Sequence, residues 1–208
     1  MIVNSHNDWD PLEEIIVGHA HHSRIATDIS ARSFSYANFK KEDVEKLEGT
    51  YPQWVIDEAN EDADGLAKAL EDLGVTVRRP KIIDWDNVNY DIGQGWNTKG
   101  WYSWCPRDLI LPLGDMLIET PTPVRARYFE TKLYEDIMYE AFEDGALWLQ
   151  APKPNLHDDM FQFEDIADKP TLLNHEICFD APNIVRVGRD LLYQVSNSGN
   201  MKGFRWLE

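Results

Sequence analysis

Two aspartates at the edges of apolar strands are the residues of this chain best suited to chemistry. Asp108 closes the segment Gly100-Trp101-Tyr102-Ser103-Trp104-Cys105-Pro106-Arg107, and Asp180 closes Glu176-Ile177-Cys178-Phe179. A carboxylate so placed grips a planar guanidinium through two parallel charge-assisted hydrogen bonds, a geometry that a compact ammonium cannot match. The pair therefore points to a site that handles a guanidine. Attack on a guanidinium carbon is difficult because its charge is spread over three nitrogens. It needs a strong nucleophile, groups that hold the plane still, and an acid for the departing amine.

Each candidate also has a plainer reading. Asp108 could pair with Arg107 or cap a turn, Asp180 precedes the turn-forming Ala181-Pro182-Asn183, and Tyr102 between Trp101 and Trp104 suits packing. Cys105 and Cys178 sit next to apolar residues, where a buried thiol is usually inert because activation needs a nearby cation or helix N-terminus, so neither is expected to be the nucleophile. His19, His21 and His22 form a loose cluster, and His157 adjoins Asp158 and Asp159. Metal sites need ligands held by ordered structure and a second shell, so no metal and no cofactor is expected.

The elements that must position these residues follow from periodicity. Leu12 to Gly18 reads as a strand, and a polar stretch runs from there to about Thr50. Pro52 to Leu73 reads as an amphipathic helix stopped by Gly74, and Val75 to Pro80 as a second strand. Leu109-Ile110-Leu111 and Met116-Leu117-Ile118 flank Gly114-Asp115, a hairpin signal. A helix is expected from Tyr128 to Phe142 and a strand at Leu147-Trp148-Leu149. Ile184 to Val187 and Leu191 to Val195 form a further hairpin about Gly188-Arg189-Asp190, and Asn200 to Glu208 opens another helix. Hairpin, helix and strand recur, which implies an array of modules closed by repetition.

The formal net charge of −17 over 208 residues disfavours nucleic acid. It is diffuse and reads chiefly as a solvated surface, with attraction of a cationic substrate a smaller part. No apolar run approaches the ~20 residues needed to cross a bilayer, and two cysteines make no disulfide framework. A soluble, cytoplasmic protein with no membrane partner is expected. Most of the eight tryptophans are assigned to core or pocket walls.

In order along the chain, Trp9 to Gly18, Gly74 to Pro80, Tyr102-Ser103 with Pro106-Arg107-Asp108, Ala151-Pro152-Lys153-Pro154, Cys178-Phe179-Asp180-Ala181 and Gly188-Arg189-Asp190 resemble the glycine amidinotransferase family. The resemblance implies a pentein-type α/β propeller of five ββαβ modules about a central channel. About two and a half would be present here, roughly residues 1–100, 101–155 and an incomplete 156–208. It also implies transfer of the amidino group of arginine to an amine, with glycine the leading acceptor, through an amidino-cysteine intermediate. Asp180 would be the catalytic aspartate, with Asp108 and Tyr102 contacting substrate. The family's histidine, a further aspartate and the nucleophilic cysteine lie beyond the equivalent of Glu208.

The chain alone is accordingly expected not to turn over arginine, and to leave the inner faces of Phe204, Trp206 and Leu207 without partners. A homodimer or a complementing C-terminal half is the expected partner. The rival readings are a non-catalytic guanidine-binding module and an arginine deiminase.

Overall fold

The computed structural model describes residues 2–34, 40–164 and 169–208. Strand Glu14–Ile16 runs parallel to Thr76–Arg78, with Ile15 opposite Val77. Parallel strands require a crossover, and the excursion between them includes the helix Gln53–Asp72. Gly74, at φ 87°, ends that helix in a conformation open to glycine. The helix is less buried than its period suggests. Ile56 and Ala67 are its buried residues, whereas Trp54 and Leu66 on it and Leu73 at its end are exposed.

The second unit is a three-stranded sheet. Ile110–Leu113 and Met116–Glu119 form an antiparallel hairpin, and Leu147–Gln150 lies parallel to the second of them. Helix Glu135–Glu143 crosses between and buries Ile137, Met138 and Ala141. Leu109, Ile110, Leu117, Leu133 and Tyr134 complete this core. The helix expected from Tyr128 is corrected: its first part is the 3-10 turn Glu130–Tyr134, preceded by another at Arg125–Arg127. Arg127 and Glu130 are both buried there and bonded to each other, a demand that apolar periodicity does not reveal.

Ile184–Val187 pairs antiparallel with Asp190–Tyr193 in the third unit, and helix Met201–Leu207 follows. The Asn200 side chain caps this helix by accepting from the Gly203 N–H at 3.0 Å. A Cβ at Gly203 would lie 2.5 Å from the Cys178 carbonyl, so glycine lets the helix rest on the strand that leads to Asp180. Phe204, Trp206 and Leu207 are not left bare as expected. Trp206 stacks on Phe179 at 5.9 Å and Phe204 meets Tyr193 edge-on, while Leu207 packs beside Trp206 against the core of Leu111, Phe179 and Ile184.

Three small pairings were not expected from the sequence: Arg24–Ile25 with Gly49–Thr50, Tyr90–Asp91 with Asn97–Thr98, and Phe161–Glu164 with Lys169–Leu172. The N-terminal segment ties the two hairpins together. Ser5 bridges Gly114, Asn7 bridges Val187, and Arg186 donates to the side chains of Asp8 and Ser5. Among the described residues no helix is long and apolar enough to cross a membrane.

Candidate active site

Gly18 admits the aromatic segment that carries the first aspartate. A Cβ there would fall 2.3 Å from the Ser103 carbonyl oxygen, so only glycine allows the chain beyond Glu14–Ile16 to lie against Ser103 and Trp104. His19 then fixes the contact from its buried ring, with Ser103 Oγ 3.0 Å from Nδ1 and Nε2 donating to the Lys81 carbonyl at 3.1 Å. Burial lowers its pKa, so it sits as a neutral structural ring. Downstream, Pro106–Asp108 forms a 3-10 turn that packs against the turn Ala181–Asn183. The two predicted aspartates thus come from neighbouring turns.

A residue that the sequence did not single out joins the first of them and acts electrostatically on the second. Arg127 is wholly buried. Its Nε and Nη2 donate to the two oxygens of Glu130 at 2.6 and 2.9 Å, and Nη2 also donates to the Cys105 carbonyl at 3.1 Å. Nη1 donates to Asp108 Oδ2, while no hydrogen bond from the described residues reaches Asp108 Oδ1. The guanidinium lies over the Tyr102 ring, 4.9 Å from its centre. Burial works against the charge, yet Glu130 and Asp108 hold the Arg127 pKa well above its ordinary value. Glu130 is raised by the same burial, with Arg127 pulling it back.

Tyr102 is itself buried and stacks on Trp104 at 4.9 Å. It supports the guanidinium from below, and burial raises its pKa. Arg107, the bland partner for Asp108, turns elsewhere and lies 3.8 Å from Asp8.

Asp180 is 1% exposed, and among the described residues neither carboxylate oxygen makes a well-formed hydrogen bond, the Asn183 backbone N–H that closes its turn being a nearby donor. Its backbone is well held: Asp180 N–H donates to the Ser198 carbonyl at 2.8 Å, with Asn183 Oδ1 also 3.3 Å away. Burial pushes its carboxyl up to about 7. Asp108 and Glu130 add to the rise; Arg127 opposes it, as does the nearby Thr122 hydroxyl, which makes no well-formed bond to it. One cation is therefore shared among three carboxylates.

Neither cysteine is poised as a nucleophile. Burial raises Cys105 to about 11 and raises Cys178 further, so both are thiols at neutral pH. Asp158 is engaged by Arg125 at 2.7 Å, and no metal-holding group of three or more His, Cys, Asp or Glu occurs among the described residues. A cleft of about 270 Å³ is lined by Glu119, Tyr128, Phe129, Thr131, Lys132, Glu135, Gln150 and Lys153, and so by neighbours of Arg127 and Glu130 in the chain rather than by the two aspartates. Its charges are largely answered: Glu119 accepts from Trp148 and Gln150 at 3.0 Å each, Lys132 pairs with Glu135, and Lys153 donates to the Tyr128 carbonyl at 2.7 Å.

The fold is that of the penteins. A dimethylarginine dimethylaminohydrolase shares it at a TM-score of 0.52 and 14% identity over 95% of this chain and 54% of that one, which speaks for the fold alone. The solved inosamine-phosphate amidinotransferase of Streptomyces griseus superposes at a TM-score of 0.90, with 42% identity over 99% of this chain and 59% of that one. By sequence, inosamine-phosphate amidinotransferase 1 of Streptomyces griseus is 42% identical over 100% of this chain and 59% of its own length. The mitochondrial glycine amidinotransferase of Xenopus laevis is 32% identical over 99% of this chain and 51% of its own. No family model matches. The homologues of this chain are amidinotransferases, and it matches their N-terminal part from end to end. It spans between half and three fifths of their length.

Proposed function

We propose that the chain forms the guanidine-gripping part of an amidinotransferase that moves the amidino group of arginine to an amine. The observation that carries this reading is Asp180, a buried carboxylate whose oxygens make no well-formed hydrogen bond among the described residues, beside a cluster in which one arginine serves three acids. Burying an unpaired carboxylate is costly unless a cation arrives. A substrate guanidinium supplies one, with Asp108 Oδ1 and Asp180 as its acceptors. Asp180 then carries the catalytic aspartate's part, Asp108 a substrate contact, and Tyr102 acts from beneath through Arg127.

The acceptor is the finer question. Glycine led on motif resemblance, but identity is higher to the inosamine-phosphate enzymes, at 38–43%, than to the glycine amidinotransferases, at 31–33%. We favour inosamine phosphate. The nucleophilic cysteine and proton-transferring histidine belong, on this reading, to a C-terminal part like that of the relatives.

The test supplies arginine with either glycine or inosamine phosphate to the chain alone, then with the C-terminal part of the Streptomyces griseus relative added. Ornithine formation is expected in the mixture only, and faster with inosamine phosphate. Ornithine from the chain alone, lost on Cys105→Ser or Cys178→Ser, would overturn the assignment of the nucleophile.

A further inference from the structure

The cleft of about 270 Å³ holds two charges of opposite sign that do not meet. Glu119 and Gln150 face each other at the ends of the parallel strands Met116–Glu119 and Leu147–Gln150, and Lys153 follows on the chain. The carboxyl ends of parallel strands are where ligand crevices form in α/β sheets. Glu119 is buried, and each of its oxygens accepts one hydrogen bond from a neutral group, Oε1 from Trp148 and Oε2 from Gln150. An ionised carboxylate offers about four acceptor positions, so capacity remains on both oxygens. Lys153 Nζ donates to the Tyr128 carbonyl at 2.7 Å and lies 5.1 Å from the centre of the Tyr128 ring, with further N–H donors in hand.

The charges around Lys153 are otherwise settled. Lys132 is paired with Glu135, and Glu130 is held by the Arg127 fork. Among the described residues that leaves Glu119 and Lys153 lining one cleft, each without an ion-pair partner. Burial lowers the Lys153 pKa to about 8; Glu119 and Glu130 act to raise it and Lys132 to lower it further. A simple anion placed on Lys153 would be repelled by Glu119, and a simple cation on Glu119 by Lys153. A molecule that carries both charges answers both, through charge-assisted hydrogen bonds at each end. The volume falls below the ~300 Å³ at which sites for drug-sized ligands begin, so that molecule is small.

We propose that this cleft binds a free α-amino acid as its zwitterion, the ligand's carboxylate on Lys153 and its ammonium on Glu119. The proposal stands apart from the transfer reading, since neither Asp108 nor Asp180 lines the cleft.

Calorimetric titration of the 208-residue chain with L-alanine, acetate and methylamine tests it. L-Alanine is expected to bind at least about tenfold more tightly than either half-ligand, because only it satisfies both charges. Lys153→Met and Glu119→Gln are each expected to weaken L-alanine binding about tenfold or more, and Asp180→Asn to leave it unchanged. From pH 7 to pH 9 the affinity is expected to fall about tenfold, as Lys153 loses its proton.

Should the cleft variants fail to fold, the comparison of the three ligands on the wild-type chain still decides. No saturable binding of L-alanine, or acetate or methylamine binding as tightly as L-alanine, overturns the proposal. So does binding that survives Lys153→Met but is lost in Asp180→Asn, which would place the amino acid at the catalytic carboxylates instead.

Discussion

Glu130 and Asp180 are both about 1% exposed, yet they live in opposite circumstances. Glu130 receives two parallel hydrogen bonds from Arg127, whereas among the described residues both oxygens of Asp180 lack a well-formed one. A buried acid with a bidentate partner is a completed structural unit. A buried acid without one is a cost that the rest of the fold sustains, and such costs concentrate where a ligand is to be met. The contrast separates the site's scaffold from its reactive face.

The comparison breaks first at Glu130. Glu130→Gln leaves the Arg127 charge buried without its main partner, and unfolding in urea is expected to show a loss of about 3–5 kcal/mol. A loss under 1 kcal/mol would mean that the pair is not the structural anchor described here.

Asp180→Asn should act with the opposite sign. The Asp180 carboxyl is raised in the folded chain to about 7 from 3.8, so between those values the folded state binds more protons than the unfolded state. Its contribution to stability is therefore greatest below about pH 4 and falls as pH rises through 7. Removing the charge should stabilise the chain at pH 8 by on the order of 2–4 kcal/mol, with no gain at pH 4. Equal destabilisation at both pH values would show that Asp180 is a structural acid after all.

Asp108 sits between the two cases, with Oδ2 bonded to Arg127 and no hydrogen bond to Oδ1 among the described residues. Asp108→Asn is expected to cost about 1–3 kcal/mol, less than Glu130→Gln, because Arg127 retains its bidentate partner. Lys68 and Asp72, an exposed pair on the helix Gln53–Asp72, mark the floor of the scale. Lys68→Ala should change stability by under about 0.5 kcal/mol.

What the sequence disclosed and hid follows the same division. The hairpins about Gly114 and Gly188 were legible because a glycine with positive φ sits between β-rich runs. Asp108 and Asp180 were legible because each ends a motif. Arg127 and Glu130 were not, since the run from Tyr128 to Phe142 keeps a helical apolar period that a buried ion pair in 3-10 turns does not disturb. Arg125 and Arg127 inside an otherwise apolar segment were the available signal. The pairing of Phe161–Glu164 with Lys169–Leu172 was hidden by Pro170, which argues against a strand on sequence grounds. The ties from Ser5 and Asn7 to the two hairpins are contacts across more than a hundred residues, which no local pattern carries.

The central claim is that Asp180 waits, partly protonated, for a guanidinium. Calorimetric titration of L-arginine into the chain joined to the relative's C-terminal part, at pH 6.5 in two buffers of different ionisation heat, tests it most directly. Release of a fraction of a proton per arginine bound is expected, because Asp180 must ionise to pair. Asp180→Asn should abolish that release and weaken binding by about 2–5 kcal/mol. Binding with no proton release in the wild type, and unchanged affinity in Asp180→Asn, would contradict the account.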